Sequence, residues 1–355
     1  MTTELGIIEG FYGKPWSWAA RTTLVSFLAP HGYGFYLYAP KTDAFLRRRW
    51  QEPHEDDAFA AMKAFASHCR TLGVRFGVGL SPYELFTDFS SASQSALARK
   101  LDSLLSLGLD DLAILFDDMP STQADLAERQ VEIMHWVQSR VPAQRLLFCP
   151  SYYSDDPVLD RVFGQRPPDY LEDLGRLLDP AIEVFWTGEE VCSRELSPGH
   201  LQRVAGQLRR KPFLWDNYPV NDGQRMSQFL HLRSFTGRPA ANAEFIAAHG
   251  INPALQPTLT CIPALTLADS YRLGQDYQYG DAFTRAATLV VGEALAAQLQ
   301  RDLLSLNDSG LDRIGVARLK TLHDSYAAYD HPAAREVLDW LAGGYRISDD
   351  LVQTQ

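Results

Sequence analysis

Residues 112–120 read LAILFDDMP. An apolar run without polar alternation suits a parallel strand buried on both faces, and this one stops at two adjacent carboxylates, Asp117 and Asp118. The same texture recurs in GIIEGFY (6–12), GFYLYAP (34–40), RFGVGLSP (75–82), RLLFCP (145–150), IEVFWTG (182–188), PFLWDN (212–217) and EFIAA (244–248), which makes eight expected strands. Amphipathic stretches lie between them. DAFAAMKAFASHCRTLG (57–73) ends in Gly73, a C-cap signal. In SASQSALARKLDSLLSLG (91–108), Ser91 and Gln94 have capping-box spacing and Gly108 closes the helix; STQADLAERQVEIMHWVQSRV (121–141) is a third such stretch. Strand–helix units repeating every 30–40 residues or so predict a (β/α)8 TIM barrel, a fold of about 250 residues. An open doubly wound sheet is the alternative, but no GxGxxG turn follows the first strand.

We place the expected barrel over residues 1–278. Beyond it the texture turns helical without strand patterns, so residues 279–355 are expected to form a small C-terminal helical region. Those helices would pack on the barrel or on a second copy, as in a homodimer.

The 355 residues are 46% hydrophobic and 22% charged, the balance of a chain that buries a substantial core. A net charge of -11 argues against a nucleic-acid partner. Four scattered cysteines without CxxC pairing suggest neither a disulfide framework nor a zinc site. With no signal-peptide pattern and no apolar run near the roughly 20 residues that span a bilayer, we expect a cytoplasmic protein without membrane attachment.

In a barrel of this kind, the C-terminal ends of the strands form the active-site face. Those ends carry Gly10, Phe11 and Tyr12; Lys41 and Asp43; Tyr83 and Glu84; Asp117 and Asp118; Tyr152 and Tyr153; Thr187 and Glu189; Trp215, Asn217 and Asp222; and Asn252. Aromatic faces can stack on pyranose C–H surfaces while amides and carboxylates hold hydroxyls, so the mixture resembles a sugar site. Taken singly, each position has a plainer reading: an Asp pair before Pro120 and Ser121 more often caps a helix, and aromatic strand ends more often fill a core. The joint pattern carries the functional case.

The segments GIIEGFYGKPWSW, YLYAPKTD, ILFDDMP, LLFCPSYY, VFWTG, LWDNYPVND and GINP are similar, in order and spacing, to the family 84 glycoside hydrolases. These are β-N-acetylglucosaminidases that include the O-GlcNAcases and the enzymes once called bacterial hyaluronidases. The resemblance implies an exo-acting, retaining hydrolase of terminal β-linked N-acetylglucosamine that uses no metal or cofactor and acts on a GlcNAc-bearing glycoside or glycoprotein. It also implies substrate assistance: the 2-acetamido oxygen attacks the anomeric carbon and forms an oxazoline. Asp117 would then orient the acetamido group, and Asp118 would serve as general acid and later as base. Two neighbouring carboxylates repel, so one is expected to stay ionised while the other's pKa rises.

By the same resemblance, Gly10, Lys41, Asp222 and Asn252 would contact sugar hydroxyls, with Phe11 and Tyr12 beside them on the first strand end. Asn217 and Tyr153 would hold the acetamido group, and Cys149, Thr187 and Trp215 would line the pocket for its methyl and the ring. Tyr83 stands where the family commonly has glycine, Tyr152 replaces a glutamate, and Gly223 replaces an aromatic residue, so the leaving-group side is expected to differ. The alternatives are a retaining glycosidase with a carboxylate nucleophile such as Glu84 or Asp222, and a non-catalytic barrel that binds GlcNAc or glycans.

Overall fold

A computed structural model describes residues 3–121, 123–141 and 144–348. The extreme ends of the two expected regions (1–2 and 349–355) and Thr122 in the third expected helix lie outside the described residues. Eight parallel strands close into a barrel in sequence order. They are β1 (Leu5–Glu9), β2 (Tyr33–Tyr38), β3 (Arg75–Leu80), β4 (Asp111–Leu115), β5 (Arg145–Cys149), β6 (Glu183–Trp186), β7 (Phe213–Asp216) and β8 (His249–Ile251). Helices α1 (Trp18–Leu28), α2 (Asp56–Thr71), α3 (Ser91–Leu105), α4 (Leu126–Arg140), α5 (Pro157–Phe163), α6 (Tyr170–Leu177), α7 (Pro198–Leu208) and α8 (Pro257–Leu273) connect and surround them. Nearly every strand residue is buried, which is why the strands read as continuous apolar runs.

Register brings the functional ends to one rim. Glu9 pairs with Tyr38, Leu115 with Cys149, and Asp216 with Ile251, so the residues just beyond each pair emerge on the same face. Beneath that face the barrel is packed with rings: Phe213 meets Phe35 and Phe185 edge-on at 5.2 and 4.9 Å, and Phe185 meets Trp215 at 5.3 Å.

Seven strands lie where the apolar runs placed them; the eighth does not. EFIAA (244–248) begins on the last residue of a short 3-10 turn, Ala240–Glu244, and the strand is His249–Ile251. Three residues beginning with a histidine carry too little pattern to be seen in sequence. That histidine is fully buried because its ring bridges Asp216 Oδ2 at 3.0 Å and the Tyr271 hydroxyl at 2.9 Å. Gly250 is required there, since a Cβ would lie 2.4 Å from Ile8 Cδ1.

The cap of α3 is displaced by one residue. Ser90, rather than Ser91, accepts from the Ser93 N–H, while the Gln94 side chain donates to Phe89 O at 3.2 Å, so no reciprocal box forms. Ser121 and residues 123–125 are not helical; α4 begins at Leu126. Asp117 and Asp118 therefore cap no helix.

The C-terminal helices are α9 (Tyr279–Leu303, kinked at Gly292), α10 (Val316–Ala327) and α11 (Pro332–Leu341). α9 lies along α8, and α11 packs on α10 and returns to α8, so they share the core of the barrel. Glu336 of α11 accepts the Thr258 and Leu259 N–H groups at 2.8 and 2.9 Å, satisfying otherwise unpaired donors at the start of α8. Among the described residues, no helix is long and apolar enough to cross a membrane.

Candidate active site

At the C-terminal rim a cavity of about 200 Å³ is lined by Gly10, Tyr12, Lys41, Asp117, Asp118, Cys149, Tyr153, Thr187, Val191, Cys192, Trp215, Asn217, Asp222 and Asn252. Every catalytic or sugar-contacting residue implied by the resemblance is among them except Phe11. That side chain turns inward, is fully buried and packs on Trp16 at 5.3 Å, because successive residues leaving β1 point to opposite sides. Glu84 is exposed and lies outside the cavity lining, as do Glu189 and Tyr152; the Tyr152 hydroxyl donates to Gly164 O at 2.6 Å.

The two aspartates sit in unlike settings. Asp117 is buried, and its Oδ2 forms an ion pair with Lys41 Nζ. Its other oxygen, Oδ1, is buried and has no hydrogen-bond partner among the described residues. Asp118 is half-buried and adopts a left-handed backbone, φ +55°. The Tyr153 hydroxyl donates to its Oδ1 and the Tyr12 hydroxyl to its Oδ2, each at 2.9 Å. Burial pushes the Asp118 carboxyl upward, but Lys41, Arg47 and the two phenol donors together hold it below the usual carboxylate range. The expected upward shift is thus absent, because the effect of burial is outweighed by the neighbouring cations and donors. The raised carboxyl is Asp222, at about 6, through burial and the nearby negative charge of Asp118. Its Oδ2 accepts the Tyr12 N–H at 2.9 Å.

Opposite the acids, amides form a chain. Asn217 Oδ1 accepts from Trp215 Nε1 at 3.1 Å and from Asn252 Nδ2 at 2.9 Å, and Asn217 Nδ2 donates to Val191 O at 2.8 Å. Asn252 Oδ1 accepts the Gly10 N–H at 3.3 Å. A Cβ on Gly10 would lie 2.2 Å from the Trp215 ring, so any larger residue must displace that ring. The Lys41 ammonium lies 6.0 Å from that ring.

Val191 and Cys192 escaped the sequence reading. They belong to the long loop after β6, and a small apolar pair several residues past a strand end gives no signal. Arg47, in the loop after β2, was missed for the same reason; its Nη2 donates to Asp118 O at 3.1 Å. Among the described residues, no group of three His, Cys, Asp or Glu side chains is arranged to hold a metal ion.

A barrel whose rim encloses a cavity fit for one sugar ring, with paired acids leaving a single strand end, is built as glycoside hydrolases are. The family model for β-N-acetylglucosaminidase matches residues 5–303, and the chain belongs to that family of glycoside hydrolases. It is 32% identical over 234 residues to the Protein O-GlcNAcases of Mus musculus and of Rattus norvegicus, an alignment covering 63% of this chain and 25% of each relative. The chain thus matches about a quarter of the length of those relatives. A solved structure of a mutant O-GlcNAc hydrolase from Thermobaculum terrenum superposes with a TM-score of 0.79 at 28% identity, covering 95% of this chain and 80% of that one.

Proposed function

We propose that the protein is an exo-acting, retaining β-N-acetylglucosaminidase of the O-GlcNAcase type in which the substrate's own acetamido oxygen is the nucleophile. One observation carries this reading: the buried, unpartnered Oδ1 of Asp117 in the cavity wall. A buried acceptor without a donor costs about 1–3 kcal/mol, and an acetamido N–H of a bound GlcNAc removes that cost. Asp117, ionised beside Lys41, then stabilises positive charge on the amide nitrogen as its carbonyl oxygen closes on the anomeric carbon. Asp118 gives a proton to the departing glycosidic oxygen; afterwards it removes one from the water that opens the oxazoline.

In this reading the two phenols change partners. Tyr153, which donates to Asp118, turns to the acetamido oxygen when substrate enters. Losing that donor, and burial beneath the sugar, both raise the proton affinity of Asp118 when an acid is needed. Asp222 and Asn252 hold hydroxyls, and Cys149, Thr187 and Trp215 surround the methyl and the ring. A methyl pocket of this kind favours GlcNAc over glucose by roughly 1–3 kcal/mol. A second cleft of about 660 Å³ shares Cys192 and Asn217 with the sugar cavity and gives the leaving group room. The physiological substrate is then a GlcNAc-bearing glycoside or glycoprotein.

The test is the leaving-group dependence of Asp118→Asn. Its kcat/KM should fall about 100-fold or more on aryl glycosides with poor leaving groups and far less on activated nitrophenyl ones. Equal losses on both would remove Asp118 from the proton-transfer role.

A further inference from the structure

Arg47 is the buried cation beside the acids that the mechanism above leaves without a role. It touches neither carboxylate oxygen of Asp118; its Nη2 donates to the Asp118 main-chain carbonyl at 3.1 Å. That carbonyl belongs to a residue at φ +55°, a region that a residue with a Cβ enters only when its surroundings hold it there. The flanking Phe116 and Met119 are fully buried, which anchors the chain on both sides of the turn. The guanidinium is itself supported. It lies 5.3 Å from the Tyr83 ring, whose other cationic neighbour is Arg48 at 3.8 Å. The loop carrying Arg47 is pinned to the end of β3 by the Ser81 N–H, which donates to Leu46 O at 2.8 Å.

We propose that Arg47, steadied by Tyr83, is a positioning residue that locks the left-handed backbone of Asp118 and so aims its carboxyl at the glycosidic oxygen. The inference rests on the assignment of proton transfer to Asp118. A bond to the carbonyl leaves both carboxylate oxygens free to exchange Tyr12 and Tyr153 for substrate. The guanidinium charge also favours the ionised acid, acting with Lys41 and the phenols of Tyr12 and Tyr153, against Asp117 and Asp222. Tyr83 thereby gains a role: it acts on the acid through Arg47 from outside the sugar cavity.

The experiment compares Arg47→Met, Arg47→Lys, Tyr83→Ala and Tyr83→Phe on a series of aryl β-N-acetylglucosaminides, with kcat/KM compared across the series and kcat followed against pH. Arg47→Met should lose about 100-fold on the poorest leaving group and under about tenfold on the best. Its alkaline limb should move to higher pH, because removing a cation raises the proton affinity of the acid. Arg47→Lys should recover part of both effects, and Tyr83→Ala should show the same pattern in weaker form than Arg47→Met but more strongly than Tyr83→Phe. In an Asp118→Asn background, Arg47→Met should add less than about twofold. Equal losses on every leaving group with an unmoved limb, or full additivity with Asp118→Asn, would overturn the proposal. If Arg47→Met does not fold, the profiles of Arg47→Lys and Tyr83→Ala decide by the same criteria. When Asp118→Asn shows the leaving-group dependence and the Arg47 and Tyr83 variants do not, only this inference falls. When Asp118→Asn itself shows none, the functional reading falls first.

Discussion

Adjacent aspartates on one strand end sit in opposite settings because the chain turns between them. Asp117 continues the buried line of β4 into an ion pair with Lys41, while Asp118 swings out through a left-handed backbone to meet two phenols. Their substitutions should therefore fail differently. Asp117→Asn is expected to lower kcat/KM by about 10²–10³-fold on good and poor leaving groups alike, since it weakens charge stabilisation rather than proton transfer. Steady-state kinetics on the aryl series used for Asp118 checks this. The raised carboxyl of Asp222 sets a second expectation. If it binds sugar hydroxyls in its ionised form, kcat/KM should fall as pH drops through about 6, and Asp222→Asn should remove that acid limb while lowering the plateau. The identities of these residues are visible in the sequence. Their proton affinities are not, because that of Asp118 depends on Lys41 and Arg47 and on Tyr12 and Tyr153 arriving from other strand ends.

At the scale of elements, β1 and β7 are fitted to each other at a single point. Gly10 leaves the space occupied by the Trp215 ring, which walls the rim cavity. Gly10→Ala should displace that ring, cost about 1–3 kcal/mol in stability and reduce kcat/KM at least tenfold. Thermal unfolding and kinetics measured together test it; a fully active variant would show that the ring has freedom to move. The same scale explains the error over β8. The strand is selected by partners, with Asp216 holding His249 and Ile8 facing Gly250, rather than by its own apolar periodicity. EFIAA has the better local pattern, yet lies just before the strand. Likewise, the loop after β6 places Val191 and Cys192 in the pocket because Arg238 ties it to the barrel. Its guanidinium donates to Ser193 O at 2.7 Å and to Asp216 Oδ1 at 2.7 Å, contacts that no local motif announces.

For the whole molecule, the C-terminal helices are joined to the barrel by a buried acid. Burial raises the Glu336 carboxyl to about 7 despite the two backbone N–H groups it accepts. An acid with its folded-state pKa above the unfolded value of about 4.5 makes the native state bind more protons. Its contribution is therefore fully present below about 4.5 and is lost as pH rises through about 7. Stability should decline across that interval, and Glu336→Gln should flatten the slope; denaturant unfolding between pH 5 and 8 measures both. The same helical region reaches the active-site side of the barrel. The Trp340 Nε1 donates to Ser227 O at 3.2 Å, and a Cβ on Gly13 would lie 2.6 Å from Ile347. The sequence by itself determined the barrel, because strands buried on both faces must be apolar throughout, and it named most of the cavity wall, because strand ends are where polar residues can follow such runs. Tertiary structure alone decided which aspartate keeps an unpartnered oxygen, which is ringed by donors, and which distant loops complete the pocket. Those properties arise from charges and contacts between residues far apart along the chain, and no local pattern encodes them.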